Sequence, residues 1–186
     1  MLGISIGADV RAVLWPRGGA PIDLTARTGL ADVMDLDNHG QFVGSRLVLT
    51  PESMYGVAIL WSHGRTTDLL SFATASAIND RGEVAGYGAA GSFTWHHGQL
   101  TEIPLLPNMP PASAMQAQAI NNHGQVVGFG GYEGFLWDHG TLTTLPHLYG
   151  NGPAAFDIND HGQIVGQVGT TPDNLQPHAV LLTPTR

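Results

Sequence analysis

One word constrains this chain more than any other feature: Ala155-Phe-Asp-Ile-Asn-Asp-His-Gly-Gln-Ile-Val-Gly166, which it writes four times. The other copies run from Val33 to Gly44, Ala75 to Gly86 and Ala117 to Gly128. Their turn glycines fall at Gly40, Gly82, Gly124 and Gly162, so the word returns after 42, 42 and 38 residues. A period near 40 built from short strand-like words is the signature of a repeat architecture, and propeller blades are its usual all-β form.

A second word alternates with the first. It reads Ala58-Ile-Leu-Trp-Ser-His-Gly64, Ser92-Phe-Thr-Trp-His-His-Gly98 and Gly134-Phe-Leu-Trp-Asp-His-Gly140, with a variant at Ala12–Gly18 and a decayed copy at His178–Thr183. A further short apolar word follows each Trp-containing turn. Each repeat then holds four strands, here called a, b, c and d: a ends in Ile-Asn, b in Val-Gly, c in Trp, and d is a Thr/Leu word. Asn-Asp-His-Gly between a and b, and Trp-Asp-His-Gly between c and d, suit tight hairpins closed by a glycine at positive φ. Counting gives four a, five b, five c and four d strands. That total fits an all-β propeller of short antiparallel blades, with residues 1–186 forming a single repeat domain. Five blades with incomplete first and last members are favoured, and four blades with a surplus hairpin are the alternative.

Turns a–b and c–d are uniformly short, whereas the b–c and d–a connections vary in length. Loop variation on a constant scaffold is where binding and catalysis concentrate, so the functional face is expected at the b–c/d–a end. Residues that break the repeat there are the candidates. The ligand-binding set is Arg46, Tyr55, Tyr132, Tyr149, Met109 and Met115, a mixture suited to an amphipathic pocket. Glu52, Glu133, His147 and His178 are the acid–base candidates, since a carboxyl or imidazole in a low-dielectric pocket can be tuned for proton transfer.

Other features narrow the function. Lys plus Arg number 7 against 15 Asp plus Glu, with no basic cluster, which argues against a nucleic-acid partner. No apolar run approaches the roughly 18 residues needed to cross a bilayer, so no membrane partner is expected. Met1–Asp9 carries no leading basic residues and does not read as a signal peptide, consistent with a cytoplasmic chain. The absence of cysteine excludes thiol catalysis, disulfides and Cys-based zinc sites.

The repeated set Asn79, Gly82, Gly86 and Trp95, with its counterparts in the other copies, resembles the HAF-repeat (extracellular repeat) family. That family's pattern is Ala-x-x-Ile-Asn-x-x-Gly-x-Val-Gly followed by His-Ala-Phe-x-Trp-x-x-Gly. The match covers nearly the whole chain, although the name-giving His-Ala-Phe survives only as His178-Ala179-Val180. The resemblance implies a β-propeller-like fold and an exported setting. It carries no established activity and transfers no catalytic residue.

Two provocative patterns are expected to be structural. Histidine precedes the turn glycine at His39, His123 and His161, and again at His63, His97 and His139. Imidazoles at one recurring turn position on different blades stand too far apart to share a metal ion with bonds of about 2 Å. Asp157-x-Asn159-x-His161-Gly162 looks like a calcium loop but lacks an oxygen ligand at its fifth position and the glutamate at its twelfth. No metal or cofactor is therefore expected. The tryptophans Trp15, Trp61, Trp95 and Trp137 serve packing between blades, or else act as sugar-stacking platforms.

The leading expectation is a lectin-like propeller that binds a small molecule or glycan. The alternatives are a cofactor-free cyclase or isomerase with one acid–base pocket on the b–c/d–a face, and a protein-interaction scaffold.

Overall fold

The computed structural model describes residues 2–6, 10–25, 30–107, 109, 114–148, 152–169 and 177–184. The fold is all-β: eighteen strands form five small antiparallel sheets. The first sheet holds β1 (Leu2–Ile6), β2 (Val10–Leu14) and β3 (Ile22–Asp23). The second holds β4 (Leu30–Leu36), β5 (Phe42–Leu49), β6 (Met54–Ser62) and β7 (Arg65–Ser71), and the third β8 (Ala73–Ile78), β9 (Val84–Gly88), β10 (Gly91–His96) and β11 (Gln99–Ile103). The fourth comprises β12 (Met115–Ile120), β13 (Val126–Gly130), β14 (Glu133–Asp138) and β15 (Thr141–Thr144). The fifth comprises β16 (Ala154–Ile158), β17 (Ile164–Gly169) and β18 (Pro177–Leu182). Every sheet is a meander in the order a-b-c-d, with no a strand in the first and no d strand in the fifth among the described residues.

Local turn chemistry explains the hairpins. In the c–d turns of the second, third and fourth sheets two residues separate the strands, and both take positive φ: His63 at 50° with Gly64 at 81°, His97 at 48° with Gly98 at 87°, His139 at 46° with Gly140 at 95°. Such a turn matches the strand twist but places a non-glycine residue in the left-handed region, where His, Asn and Asp are the tolerated types. The recurring histidine is thus a turn residue.

The a–b turns work differently, through a side chain. Asn121 Oδ1 accepts the backbone N–H of His123 and of Gln125, both at 3.0 Å, and its Nδ2 donates to Gln125 Oε1 at 2.8 Å. Asn79 and Asn159 repeat this arrangement, and Asp37 supplies the acceptor half of it. Two of them also reach sideways: Asn79 Nδ2 donates to Asn121 O at 2.9 Å, and Asn121 Nδ2 to Asn159 O at 3.0 Å.

Close approach within a sheet fixes a second series. Each a strand carries a register shift, as between Ala117 and Ala119, and the b-strand glycine faces the shifted stretch. A Cβ on Gly128 would stand 2.0 Å from Gln116 O, and one on Gly166 2.1 Å from Ala154 O. Only glycine fits against that bulged backbone.

The second to fourth sheets are buried on both faces. Phe42 and Val43, adjacent on β5, point to opposite sides: Phe42 joins Ala12 and Leu24 of the first sheet, Val43 joins Ala75 and Phe93 of the third. Phe93 and Phe135 are almost fully buried, and burying such a side chain stabilises by roughly 2–3 kcal/mol. The tryptophans lie in these interfaces: Trp137 is buried, Trp95 packs on the neighbouring cluster, and Trp61 stacks on Phe42 at 4.6 Å.

Asn121 and Asn159 hold their own turns identically, but only Asn121 is buried and bonded to the next repeat. Asn121→Ala, which strands several buried backbone groups, is expected to lower unfolding stability by about 2–4 kcal/mol, and Asn159→Ala by about 1 kcal/mol or less. Urea unfolding of the two variants checks the order.

Candidate ligand-binding site

At the b–c end, the fourth and fifth sheets leave a cleft of about 120 Å³. Phe129 and the β13–β14 turn, Gly131-Tyr132-Glu133, form one wall, while Gln167 and Gly169 of β17 and Pro177 of β18 form the other. The turn is tight, with Gly131 at φ 60°, and it leaves the Tyr132 ring 75% exposed beside the opening. His147, from the segment after β15, reaches back so that its Nε2 lies 2.6 Å from Glu133 Oε2. Both side chains remain partly open to solvent. Gly152 lets two backbones meet here: a Cβ on it would stand 2.6 Å from Tyr132 O and 2.8 Å from Glu133 Oε2. The result is an exposed aromatic ring, a positioned carboxylate–imidazole pair and a planar amide around one small opening.

Only part of the expected set converges there. Tyr132, Glu133 and His147 do. Met115 is 1% exposed and belongs to the core between the third and fourth sheets, with Met109 packed against it. Both methionines fill the space over Gly130, where an added Cβ would stand 2.7 Å from Met115 Cγ and 2.9 Å from Met109 Cε. His178 is exposed on β18, next to the cleft residue Pro177. Tyr149 lies outside the described residues.

Arg46, Tyr55 and Glu52 sit elsewhere, on the second sheet. Arg46 makes a two-pronged pair with Asp68 at 2.6 and 3.1 Å, and this bond holds the Asp68 carboxyl below the usual carboxylate range. Tyr55 stacks on Phe72 with centroids 4.4 Å apart. Phe72 has φ 57°, rare for a bulky residue, and it joins β7 to β8 while 57% exposed. Glu52 is exposed at the tip of the β5–β6 hairpin.

A larger cavity, about 310 Å³, lies at the opposite pole, where only structural turns were expected. The a–b turns of the second to fifth sheets surround it, each contributing an Ile or Leu and two Asn/Asp residues. Its polar groups are engaged with one another. Asn38 N donates to Asp80 Oδ1 at 2.9 Å, Asp80 N to Asn122 Oδ1 at 2.9 Å, and Asn122 N to Asp160 Oδ1 at 2.7 Å. Those bonds from Asn38 and Asn122 hold the Asp80 and Asp160 carboxyls below the ordinary range. Adjacent Asn/Asp at the second turn position in every copy was the sequence signal for this relay. Among the described residues no group of His, Asp and Glu is arranged to hold a metal ion.

On β4, Asp35 stands where the third and fourth sheets carry Ala77 and Ala119. Burial raises its pKa, against the opposing bonds from Ile78 N and Leu36 N, and the charges of Asp157 and Asp37 add to the rise.

Compared with protein-family models and with curated proteins, the chain matches none.

A raised carboxyl pKa favours folding while the group is protonated, and that contribution is lost as pH rises through the folded-state value. The stability of the unmodified chain relative to Asp35→Ala is therefore expected to fall as pH climbs from below the ordinary aspartate value of 3.8 toward neutrality. Thermal melts of both proteins across that window check the sign.

Proposed function

We propose that this chain is a ligand-binding module of the HAF-repeat kind, its five sheets acting as propeller blades, with the cleft between the fourth and fifth sheets taking a small polyhydroxylated ligand such as a sugar. One observation carries the reading: the open ring of Tyr132 stands beside the Glu133–His147 pair and across from Gln167. An aromatic face covers the apolar side of a sugar ring, while a carboxylate and an amide exchange hydrogen bonds with its hydroxyls. The cleft is small, about 120 Å³, which suits one sugar ring or the end of a chain. The tryptophans are already used in packing, which leaves Tyr132 as the platform.

The Glu133–His147 contact also favours a second reading, an acid–base enzyme acting on the same ligand class. Glu133→Gln separates the two, because it would abolish turnover while retaining much of the binding. For the binding reading, a glycan array followed by calorimetry on the best hit is expected to give one saturable site. Tyr132→Ala should weaken it about tenfold, a loss of about 1.4 kcal/mol, while Tyr55→Ala leaves it unchanged. Equal losses from both tyrosines, or no saturable glycan, would sink the proposal.

A further inference from the structure

Four residues of the third sheet depart from the repeat, and they lie together. Arg81 stands where the other a–b turns carry His39, His123 and His161, and Glu83 where they carry Gln41, Gln125 and Gln163. On strand c, Thr94 replaces the leucine found at Leu14, Leu60, Leu136 and Leu181, and His96 takes the place of Ser62 and Asp138. Glu83, Thr94 and His96 line one slot of about 70 Å³ between the third and fourth sheets, and Arg81 is bonded to Glu83. Ile120, Trp137 and His139 of the fourth sheet line it from the other side.

The departures open the slot. In neighbouring sheets the leucine fills the space between blades: Leu60 is 6% exposed in the core between the second and third sheets, and Leu136 packs between the fourth and fifth. Threonine is shorter and brings a hydroxyl instead. The polar pair beside it is also unlike its counterparts. Ser62 Oγ donates to Gln41 Oε1 at 2.7 Å, and Gln125 Nε2 donates to Asp138 Oδ2 at 3.0 Å, so both of those pairs are closed. Glu83 and His96 make no such bond. Glu83 Oε2 takes Asn79 Nδ2 at 2.6 Å, Arg81 Nη2 at 2.7 Å and Arg81 Nε at 3.2 Å. His96 stacks on His97 with centroids 4.0 Å apart. Among the described residues Glu83 Oε1, the Thr94 hydroxyl and the His96 ring nitrogens have no hydrogen-bond partner.

These groups select a ligand by their chemistry. Burial raises the Glu83 pKa, but the bonds from Asn79 and Arg81 outweigh it and hold the carboxyl below its ordinary range, so it is charged. A carboxylate oxygen, a hydroxyl and an imidazole nitrogen without its proton are three acceptors, and an ammonium group carries three donors on one charge. Ile120 and Trp137 offer an apolar wall for a short stem, and an indole favours a nearby cation. An anion would meet Glu83, and no group here is spaced to hold a metal ion among the described residues. Arg81 does not oppose the cation in full, since it is tied to Oε2 and its side chain is 47% exposed. The net charge of −8 draws cations to the chain.

We propose that this slot binds a small primary alkylammonium ion, its N–H groups bonded to Glu83, Thr94 and His96 and its stem lying against Trp137 and Ile120. The site is separate from the Tyr132 cleft, which lies between the fourth and fifth sheets.

The probe is n-propylammonium chloride, titrated into the ¹⁵N-labelled full chain at neutral pH and about 0.15 M salt, where long-range attraction to an acidic chain is screened. Saturable shifts of the His96 and Gly124 amides are expected, with a dissociation constant on the order of 1 mM, as a ligand of four non-hydrogen atoms permits. Thr94→Leu and Glu83→Gln restore the residues used by the other repeats, so both variants should keep their melting temperature. Thr94→Leu should abolish binding and Glu83→Gln weaken it about tenfold or more. If Thr94→Leu proves unstable, Glu83→Gln gives the same reading. Tyr132→Ala should leave binding unchanged. Tetramethylammonium, which has the charge without N–H groups, and 1-propanol, which has the stem without the charge, should each bind at least about tenfold more weakly. No saturation up to about 100 mM, binding indifferent to both repeat-restoring variants, or equal binding of either control compound overturns the proposal. So does a loss of binding in Tyr132→Ala, which would move the site to the cleft.

Discussion

The structure depends on one side chain used twice. In the third and fourth sheets the Asn at the first position of the a–b turn holds two N–H groups of its own turn on Oδ1 and sends Nδ2 to the neighbouring carbonyl. The same atoms that close a hairpin therefore fix the distance and rotation to the next sheet. A purely apolar interface leaves sliding soft, since burial is non-directional, and a hydrogen bond at 3.0 Å does not. The second turn position adds a parallel bond through Asn or Asp, so the third and fourth sheets, and the fourth and fifth, are each held together at two points.

These bonds also explain how an acidic chain crowds carboxylates around one cavity. Asp80 and Asp160 are each bound by backbone and side-chain N–H groups of the adjacent repeat, which stabilises the charged form. Asp35 lacks that compensation in full: two backbone bonds do not outweigh its burial, and its carboxyl is pushed up instead. Where the third and fourth sheets place alanine at this position, the problem does not arise.

Much of the fold was legible because its determinants are local. Turn glycines, the Asn before them and the strand words lie within a dozen residues of one another, so the all-β class and the short antiparallel hairpins follow from reading those words. The register shifts were not legible as such, but the glycines opposite them were, through the series Gly44, Gly86, Gly128 and Gly166. The cleft was harder. Tyr132 and Glu133 stood out as breaks in the repeat, yet Phe129 and Gln167 belong to ordinary strand words and become cleft walls only through contact between sheets. Met115 misled for the converse reason. It looks irregular in sequence, but the space above Gly130 demands a long flexible apolar side chain, and methionine fills it. Tyr55 likewise answers to a partner the sequence does not announce, Phe72 in a left-handed backbone.

Stability and recognition are thereby separated along the axis. The relay and its buried Asn residues occupy one pole, while the Tyr132 turn and the Glu133–His147 pair occupy the other. A side chain 75% exposed, as Tyr132 is, contributes little to folding, so its place on a tight turn over a cleft needs a reason other than the core.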